Sequence, residues 1–215
     1  SSISLDVSLG LYGFLDNDAR CRLREMDVEH VELKKNNKMV PVSNGLSDIY
    51  LVKEGWVCLC HPESEKGEDV FNFFIPGDIV GVRESFFINH GFSVMALTNC
   101  KLQKIPTLQF RFYYDNDKVI RDAITHYVMV NDNISLDRLR SCTHHKAEQR
   151  VAHFLLEVFT RLKFNKILTG NIFSFPLRQD QVGELIGMTN VHVSRCMTSL
   201  EQKKLIRKAR CRINL

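Results

Sequence analysis

Residues 179–200 constrain the fold of this chain more than any other segment, because they are typical of two short helices joined by a tight turn. Gly187 suits that turn, since glycine tolerates left-handed backbone angles. Thr189 follows as a natural N-cap of the second helix, and Gly183 leaves the first helix a small surface for close approach. In the second helix four apolar residues recur at helical spacing, which predicts a face buried against the domain. They are Val193, Cys196, Met197 and Leu200.

A second face of the same helix is short and mostly polar. Its residues are Asn190, Val191, Ser194, Arg195 and Thr198. A face of this kind, with one Arg among small side chains, suits a helix that lies in the major groove of double-stranded DNA. The helix pair therefore predicts a DNA-binding unit.

The distribution of charge favours the same interpretation. The chain has a net charge of +4, and residues 176–215 hold eight basic against three acidic residues. The remaining 175 residues hold 21 basic and 22 acidic residues. All of the net positive charge is thus concentrated in one segment, as in a domain that binds a polyanion. The alternative is a solvated charged surface without a ligand.

Composition excludes several other classes of protein. No run of about 18 apolar residues is present, so we expect no membrane-spanning helix. The first residues lack the pattern of a secretory signal, which favours a cytoplasmic location. The seven cysteines are odd in number and scattered, which argues against a disulfide framework. No Gly-rich phosphate loop, paired metal-binding His or nucleophile elbow is present, so we expect no enzymatic activity.

Short apolar runs broken by turn residues extend from about residue 31 to residue 105. Two of them, at residues 49–52 and 56–60, flank Lys53-Glu54-Gly55, which predicts a hairpin. Pro76-Gly77-Asp78 predicts a further turn. Short strands at regular spacing predict a compact antiparallel barrel or roll.

The periodicity becomes helical from about residue 108 to residue 141. Apolar residues recur there at coiled-coil spacing, which predicts a seam between this helix and the same helix of a second copy. The alternative is a helix packed only on its own barrel. The predicted seam residues are Ile120, Ala123, Tyr127, Val130 and Ile134.

The rest of the chain completes a recognisable order of elements. We predict a hinge at residues 142–145, a helix at 146–164, a strand at 172–175 and, after the helix pair, a basic two-strand wing at 205–213. This order resembles the CRP/FNR superfamily of bacterial transcription regulators over nearly the whole chain. The motifs that carry the resemblance are IYLVKEG at residues 49–55, PGDIVG at 76–81, RVAHFLL at 150–156 and the block 185–206, in which TNVHVSR is similar to FixK-like members.

The resemblance implies an α+β fold with four parts. Residues 1–108 are expected to form an antiparallel β-roll like the cyclic nucleotide-binding jelly roll, with a helical lead-in. Residues 109–141 are expected to form a long dimerisation helix, residues 142–145 a hinge, and residues 146–215 a winged helix-turn-helix. The implied function is a homodimeric regulator of transcription that binds a palindromic site in double-stranded DNA and contacts RNA polymerase if it is an activator.

The resemblance also implies which residues meet DNA. The base-contacting residues are expected to be Asn190, Val191, Ser194 and Arg195. Arg195 is suited to guanine, because its guanidinium group can bind O6 and N7 together. Many members carry Glu where this chain has Val191, and Val would instead touch a thymine methyl, so the half-site is expected to differ there. The expected phosphate-contacting residues are Arg178, Gln179, Thr189, His192, Thr198, Arg207, Lys208 and Arg210.

The input signal differs from that of the cyclic-AMP-binding members. Those members carry a Glu after the Gly-Asp turn and an Arg-Ser/Thr-Ala further along, whereas here Gly81 is followed by Val82, and residues 90–94 read HGFSV. No Arg stands where the family's phosphate-binding Arg should be, so we do not expect cyclic AMP as the ligand. An iron–sulfur cluster would need several cysteines near the N-terminus, and Cys21 is the only cysteine there, so we do not expect a cluster either. Val82, Arg83, Glu84 and His90 are candidates for a different effector pocket, although loop residues in solvent are the simpler interpretation of Arg83 and His90.

Three alternatives remain at this stage. Haem needs only a single His or Cys ligand. Thiol redox sensing would use Cys58 and Cys60, which share a strand face, although core cysteines are the simpler interpretation. The third alternative is a cyclic-nucleotide-type regulatory module that acts on a protein partner and has no affinity for DNA.

Overall fold

The computed structural model describes residues 3–43, 46–61, 69–86 and 92–215 of the chain, without the side chains of residues 43 and 46. The chain divides into two compact units. The first contains residues 1–62 and 73–132, and the second contains residues 63–72 and 133–215. Among the described residues no helix is long and apolar enough to cross a membrane.

Two short helices form the predicted lead-in of the first unit: α1 (Leu5–Leu9) and α2 (Asn17–Arg24). Asp16 caps α2, because its side chain accepts a hydrogen bond from the Ala19 N–H at 2.7 Å. Asp6 of α1 is fully buried, and its carboxylate accepts hydrogen bonds from the Ser4 hydroxyl at 2.7 Å and from Arg24 Nε at 2.9 Å. Paired in this way, the buried charge is tolerated and links the two helices.

The ten strands described before residue 106 form a roll of two sheets and a separate pair, which confirms the predicted fold class. One sheet has the order β1-β10-β5-β8 and the other β2-β9-β6-β7, with β3 and β4 as a separate pair. Apolar side chains of both sheets, including Val52, Leu59, Val94 and Leu102, pack into one buried cluster. The strands are β1 (Glu29–Leu33), β2 (Lys38–Met39), β3 (Val42–Ser43), β4 (Leu46–Ser47), β5 (Ile49–Glu54), β6 (Val57–Cys60), β7 (Val70–Phe74), β8 (Ile79–Val80), β9 (Ser93–Ala96) and β10 (Cys100–Ile105).

The hairpin predicted at residues 53–55 is wrong. β5 and β6 lie in different sheets, so this segment crosses from one sheet to the other. Gly55 has a φ of 82°, and a Cβ there would lie 2.4 Å from the carbonyl oxygen of Asn99. The chain does turn at these residues, as predicted. The turn packs on the segment before β10, however, and does not bring the chain back alongside β5.

The helical region after the roll is two helices, α3 (Thr107–Asn116) and α4 (Lys118–His144), and not the single helix predicted over residues 109–141. Asp117 between them has an extended backbone, and its Oδ1 accepts hydrogen bonds from the Val119 and Ile120 N–H groups at 2.9 and 3.1 Å. Its other carboxylate oxygen accepts from Arg22 at 2.5 Å. Asp117 therefore starts α4 as its cap. At its other end α4 continues through three of the four residues predicted as the hinge.

The first half of α4 is part of the core of its own unit. Ile120, Ala123 and Tyr127 are almost fully buried with residues of α1, α2 and the roll. The Tyr127 hydroxyl accepts from the Ile79 N–H and donates to the Ile79 carbonyl, each at 2.8 Å. These three side chains are therefore not available to a partner helix, which corrects the predicted dimer seam at those positions.

The second unit contains the remaining helices and a small sheet. Helix α5 lies within the range predicted for it and buries Val151, Phe154, Leu155 and Val158. Glu157 of α5 binds Arg138 of α4 through both carboxylate oxygens, at 2.6 and 3.0 Å. The side chains of Arg138, Glu157 and Arg161 are each about nine-tenths buried. The elements are α5 (Ala147–Phe164), β11 (Ile172–Ser174), α6 (Gln179–Ile186), α7 (Asn190–Gln202), β12 (Arg207–Ala209) and β13 (Arg212–Asn214), with the strands in the order β11-β13-β12.

We expect Tyr127→Phe to reduce the free energy of unfolding by about 1–3 kcal/mol, because it leaves the buried Ile79 N–H and carbonyl without their partner. Chemical denaturation followed by circular dichroism measures this change. Tyr114→Phe is the matched control, since the Tyr114 ring is only partly buried and packs against Phe86 at 4.8 Å. If the two variants were equally stable, the assignment of Tyr127 to the core would be wrong.

Candidate nucleic-acid interface

The turn between α6 and α7 has the geometry that the two glycines predict. Gly187 has a φ of 67°, in the left-handed region, and ends α6. The carbonyl of Gly183 accepts hydrogen bonds from the Gly187 N–H and, at 2.8 Å, from the Met188 N–H. A Cβ on Gly183 would lie 2.2 Å from the Met188 carbonyl oxygen, well inside van der Waals contact. The absence of a side chain at residue 183 therefore sets how closely α7 approaches α6.

Thr189 caps α7, since its hydroxyl accepts a hydrogen bond from the His192 N–H at 3.3 Å. The carboxamide oxygen of Asn190 accepts from the Val191 N–H at 2.7 Å. Both interactions satisfy N–H groups of the first turn, which have no partner within the helix. The beginning of α7 is thus held by its own side chains.

The two faces of α7 are separated as the spacing predicts. Val193, Cys196, Met197 and Leu200 are buried. The opposite face is exposed at Asn190, Val191, His192, Arg195 and Thr198, and partly exposed at Ser194. Arg195 has no ion-pair partner in the part of the chain that the structure describes. Its guanidinium group is therefore available to bind another molecule.

A basic groove lies between the helix pair and the wing. It encloses about 190 Å³ and has an apolar floor that includes Val193, Met197 and Ile213. Its basic lining residues are Arg178, Lys208, Arg210 and Arg212, with Gln179 beside them. The groove brings together four residues predicted to contact phosphates, and it adds Arg212, which the sequence analysis missed although its place in the basic wing was visible.

Two of the predicted phosphate contacts already have partners within the chain. Arg178 binds Asp180 at 2.9 and 3.1 Å, and these hydrogen bonds hold the pKa of the Asp180 carboxyl below its ordinary value. Lys208 lies 3.8 Å from Glu201. Both pairs are on the surface, where an ion pair contributes only about 0–1 kcal/mol. A phosphate group can therefore replace either carboxylate at little cost.

Helix α5 and the end of α4 support the helix pair from behind. Glu148 of α5 accepts hydrogen bonds from Lys203 at 2.5 Å and from the Ser199 hydroxyl at 2.6 Å, and these bonds lower the pKa of the Glu148 carboxyl. The thiol of Cys142, near the end of α4, donates to the carbonyl of Ile186, the last residue of α6, at 3.1 Å. The orientation of α6 and α7 is thus tied to α4 and α5.

Three exposed apolar residues of α4 lie on a different face from the predicted seam. Met129, Leu136 and Leu139 have 57, 60 and 60% of their surface exposed. Met129 and Leu136 each follow a predicted seam residue, Tyr127 and Ile134, by two positions. Two positions correspond to a rotation of about 200° around a helix. Of the predicted seam, Val130 and Ile134 retain some exposure.

The described residues of the predicted effector pocket differ in their surroundings. Val82 is buried in the core, whereas the Arg83 side chain is 65% exposed and lies 3.7 Å from Asp132. Burial raises the pKa of the Glu84 carboxyl. His90 lies outside the described residues. The described part of the chain also contains no group of three or more His, Cys, Asp or Glu residues that could hold a metal ion.

Comparison with known proteins finds two segments of the chain that are similar to known domains. Residues 43–117 match the model of the cyclic nucleotide-binding domain, and residues 149–215 match that of the Crp-like helix-turn-helix domain. The transcriptional activatory protein AadR of Rhodopseudomonas palustris is 25% identical over 83% of this chain and 73% of its own length. The structure of FixK2 from Bradyrhizobium japonicum superposes with a TM-score of 0.72 at 18% identity, over 87% of this chain and 92% of FixK2. A cyclic nucleotide-binding domain protein from Listeria monocytogenes has a TM-score of 0.67 at 16% identity, over 98% of this chain and 96% of that protein.

We expect Gly183→Ala to destabilise the helix pair by about 1–3 kcal/mol through overpacking against the Met188 carbonyl. We expect the overpacking to outweigh the roughly 1 kcal/mol that Ala ordinarily gains over Gly within a helix, because the atom that a Cβ would meet at 2.2 Å belongs to the backbone. Thermal unfolding of both variants provides the measurement, with Gly170→Ala as the control because a Cβ there meets no atom within 4 Å. Equal melting temperatures for Gly183→Ala and the unaltered chain would contradict the close approach.

Proposed function

We propose that this chain, which belongs to the CRP/FNR superfamily of transcription regulators, acts as a homodimer that binds a palindromic DNA operator through α7. The observation that carries the proposal is the exposed polar face of α7, whose Arg195 has no ion-pair partner among the described residues, next to a groove with four basic residues. Such a regulator meets genomic DNA, so we also propose that it acts in the cytoplasm.

The two parts of this surface have different tasks in the proposal. Arg195 reads a guanine through O6 and N7, and Asn190, Val191 and Ser194 face neighbouring base pairs. The residues of the basic groove, with Arg207 at the start of β12, bind phosphates and orient the protein without reading sequence. The third alternative, a module that acts only on a protein partner, does not account for a basic groove beside an exposed helix.

Dimerisation is proposed through the exposed face of α4. Met129 and Leu136 are seven residues apart and Leu139 follows three residues later, which is the spacing of a coiled-coil seam. Isolated surface leucines are common, but a row of them along one helix marks an interaction surface. A symmetric dimer of this kind presents two copies of α7 to half-sites about one helical turn of DNA apart. The relatives support this proposal, since regulators of this superfamily typically dimerise.

We propose that the roll responds to a signal other than cyclic AMP. The cyclic-AMP-binding members bind the phosphate with an Arg, and this sequence has no Arg at that position. Redox sensing by the roll cysteines is disfavoured, since Cys58, Cys60 and Cys100 are buried and burial raises the pKa of the Cys100 thiol. Haem binding is the alternative signal. An absorbance spectrum of the purified protein tests it. Because AadR is named a transcriptional activatory protein, contact with RNA polymerase is part of the proposal.

Arg195→Ala is expected to lose selectivity for the operator, with about 1–3 kcal/mol less discrimination between guanine and other bases at one position of each half-site. Operators selected from a random duplex library provide the DNA, and fluorescence anisotropy gives the affinities at several salt concentrations. Arg207→Ala is the matched variant and should weaken binding to all sequences equally while reducing the salt dependence. Unchanged sequence discrimination in Arg195→Ala would refute the assignment of α7 as the recognition helix.

Leu136→Glu is expected to shift the protein from dimer to monomer, because it places a charge in the centre of the proposed α4 seam. Sedimentation velocity over a range of protein concentrations measures the change. Leu205→Glu serves as control, since Leu205 is 58% exposed but follows α7 and lies far along the chain from α4. A Leu136→Glu protein that sediments as the unaltered chain does would rule out this seam.

A further inference from the structure

The end of α7 carries a carboxylate that binds the wing. Glu201 Oε1 accepts a hydrogen bond from the backbone N–H of Lys208 in β12 at 3.0 Å, and Glu201 Oε2 lies 3.8 Å from the Lys208 ammonium group. One side chain of α7 thus contacts both the backbone and the side chain of a single wing residue. Because the two contacts use different oxygens, one of them can persist when the other is broken.

Strand β12 needs such a partner because it lies at the edge of its sheet. The strand order is β11-β13-β12, so β12 has a neighbouring strand on one side only. Successive N–H groups of a strand point to alternate sides, and those on the free side find no acceptor within the sheet. The Lys208 N–H is one of these groups, since it donates to Glu201. Glu201 therefore fixes the distance between α7 and the wing.

The backbone that joins α7 to β12 does not fix the wing by its own preferences. Lys204 has a φ of 61°, in the left-handed region that Gly ordinarily occupies after a helix. Such a conformation costs free energy and persists only where the surrounding contacts impose it. Two such contacts flank Lys204, namely the burial of Ile206 and the pairing of Glu201 with Lys208. The position of the wing therefore depends on tertiary contacts.

The end of α7 is itself held from the other side of the helix. The Ser199 hydroxyl and the Lys203 ammonium group both donate to Glu148 of α5, at 2.6 and 2.5 Å. Ser199 and Lys203 lie two residues before and two residues after Glu201, which corresponds to about 200° around the helix in either direction. Helix α7 is therefore held by α5 on one side and binds the wing on the opposite side.

A carboxylate at this place is unexpected on grounds of charge alone. Lys208, Arg210 and Arg212 line the groove in which we propose that DNA phosphates bind, and a negative charge beside that groove repels phosphates. If Glu201 were only a surface charge, its removal would strengthen DNA binding. A role in placing the wing has the opposite sign, because the wing brings its three cations to the phosphates together.

We propose that Glu201 is a positioning residue for DNA binding that acts through the wing. Its Oε1 fixes the backbone of β12, and its Oε2 binds the Lys208 ammonium group until a phosphate replaces it. The proposal rests on the proposed function and names the side chain that places the basic groove relative to α7. Glu201 itself makes no contact with DNA in this proposal.

Fluorescence anisotropy of the full chain on an operator selected from a random duplex library tests this role. Glu201→Ala is expected to weaken operator binding about tenfold per half-site, the equivalent of one lost hydrogen bond to a charged group, although the change removes a negative charge. Titrations at several salt concentrations should show a smaller salt dependence, by about one to three phosphate contacts per half-site, because the wing cations lose their common position.

Two matched variants separate position from charge. Glu201→Gln removes the charge but keeps an oxygen that accepts the Lys208 N–H, so it should bind the operator at least as tightly as the unaltered chain. Asp180→Ala removes another carboxylate beside the groove, one that pairs with its neighbour Arg178. This variant should not weaken binding, because it frees a cation of the groove.

Amide hydrogen exchange followed by NMR, in the full chain without DNA, reports the contact directly. The Lys208 N–H should exchange slowly in the unaltered chain and in Glu201→Gln, and about tenfold faster in Glu201→Ala. The Val193 N–H, which donates to the Thr189 carbonyl within α7 at 2.9 Å, should keep its protection in all three proteins. That result shows that α7 remains folded when the wing is released.

The outcomes separate this proposal from the one on which it rests. A chain without affinity for DNA overturns both, whatever the exchange of Lys208. A Glu201→Ala protein that binds the operator as tightly as Asp180→Ala overturns the positioning role alone, and so does an equal loss of affinity in Glu201→Ala and Glu201→Gln. Fast exchange of the Lys208 N–H in the unaltered chain leads to the same conclusion.

Discussion

The close contact between α6 and α7 is the constraint on which the candidate interface depends. Gly183 has no side chain, so the Met188 carbonyl can pass it at a distance that a Cβ would not permit, and the Gly183 carbonyl in turn accepts the N–H groups that close the turn. This contact sets the angle at which α7 leaves the turn. Its buried face then packs on the domain, and the face with Val191 and Arg195 is left exposed. A looser contact would leave the same side chains without a defined direction.

Helix α4 shows how one pattern of apolar residues can serve two surfaces. Its first half packs into its own unit through Ile120, Ala123 and Tyr127, and the Tyr127 hydroxyl satisfies both backbone groups of Ile79. Three of its exposed apolar residues, Met129, Leu136 and Leu139, lie about 200° away around the helix. Heptad spacing correctly indicated a helix with an apolar stripe, but it does not tell which partner covers that stripe. Here α1, α2 and the roll of the same chain cover the first half of the stripe, whereas Val130 and Ile134 keep some exposure.

The basic wing illustrates a different limit of sequence reasoning. Its charge was evident from composition, and its two strands were predicted at the correct place. The groove was not predictable, because it depends on how the wing faces the start of α6, where Arg178 is paired with Asp180. Arg212 joins Lys208 and Arg210 in that groove only because β13 lies between β11 and β12 in the sheet. Charge alone indicated a polyanion, and the groove is the place where we propose that its phosphates bind.

The sequence by itself determined the local features of this protein: the turn at Gly187, the Thr189 cap, the two faces of α7 and the strands of the roll. Each depends on backbone preferences or on the period of a helix or strand, which are properties of neighbouring residues. The tertiary structure alone decided that the segment after β5 crosses between sheets, that Asp117 divides the helical region with the help of Arg22, and that Tyr127 faces the core. These outcomes depend on contacts between residues distant in sequence, such as Gly55 with Asn99 and Arg22 with Asp117, and no local pattern contains them.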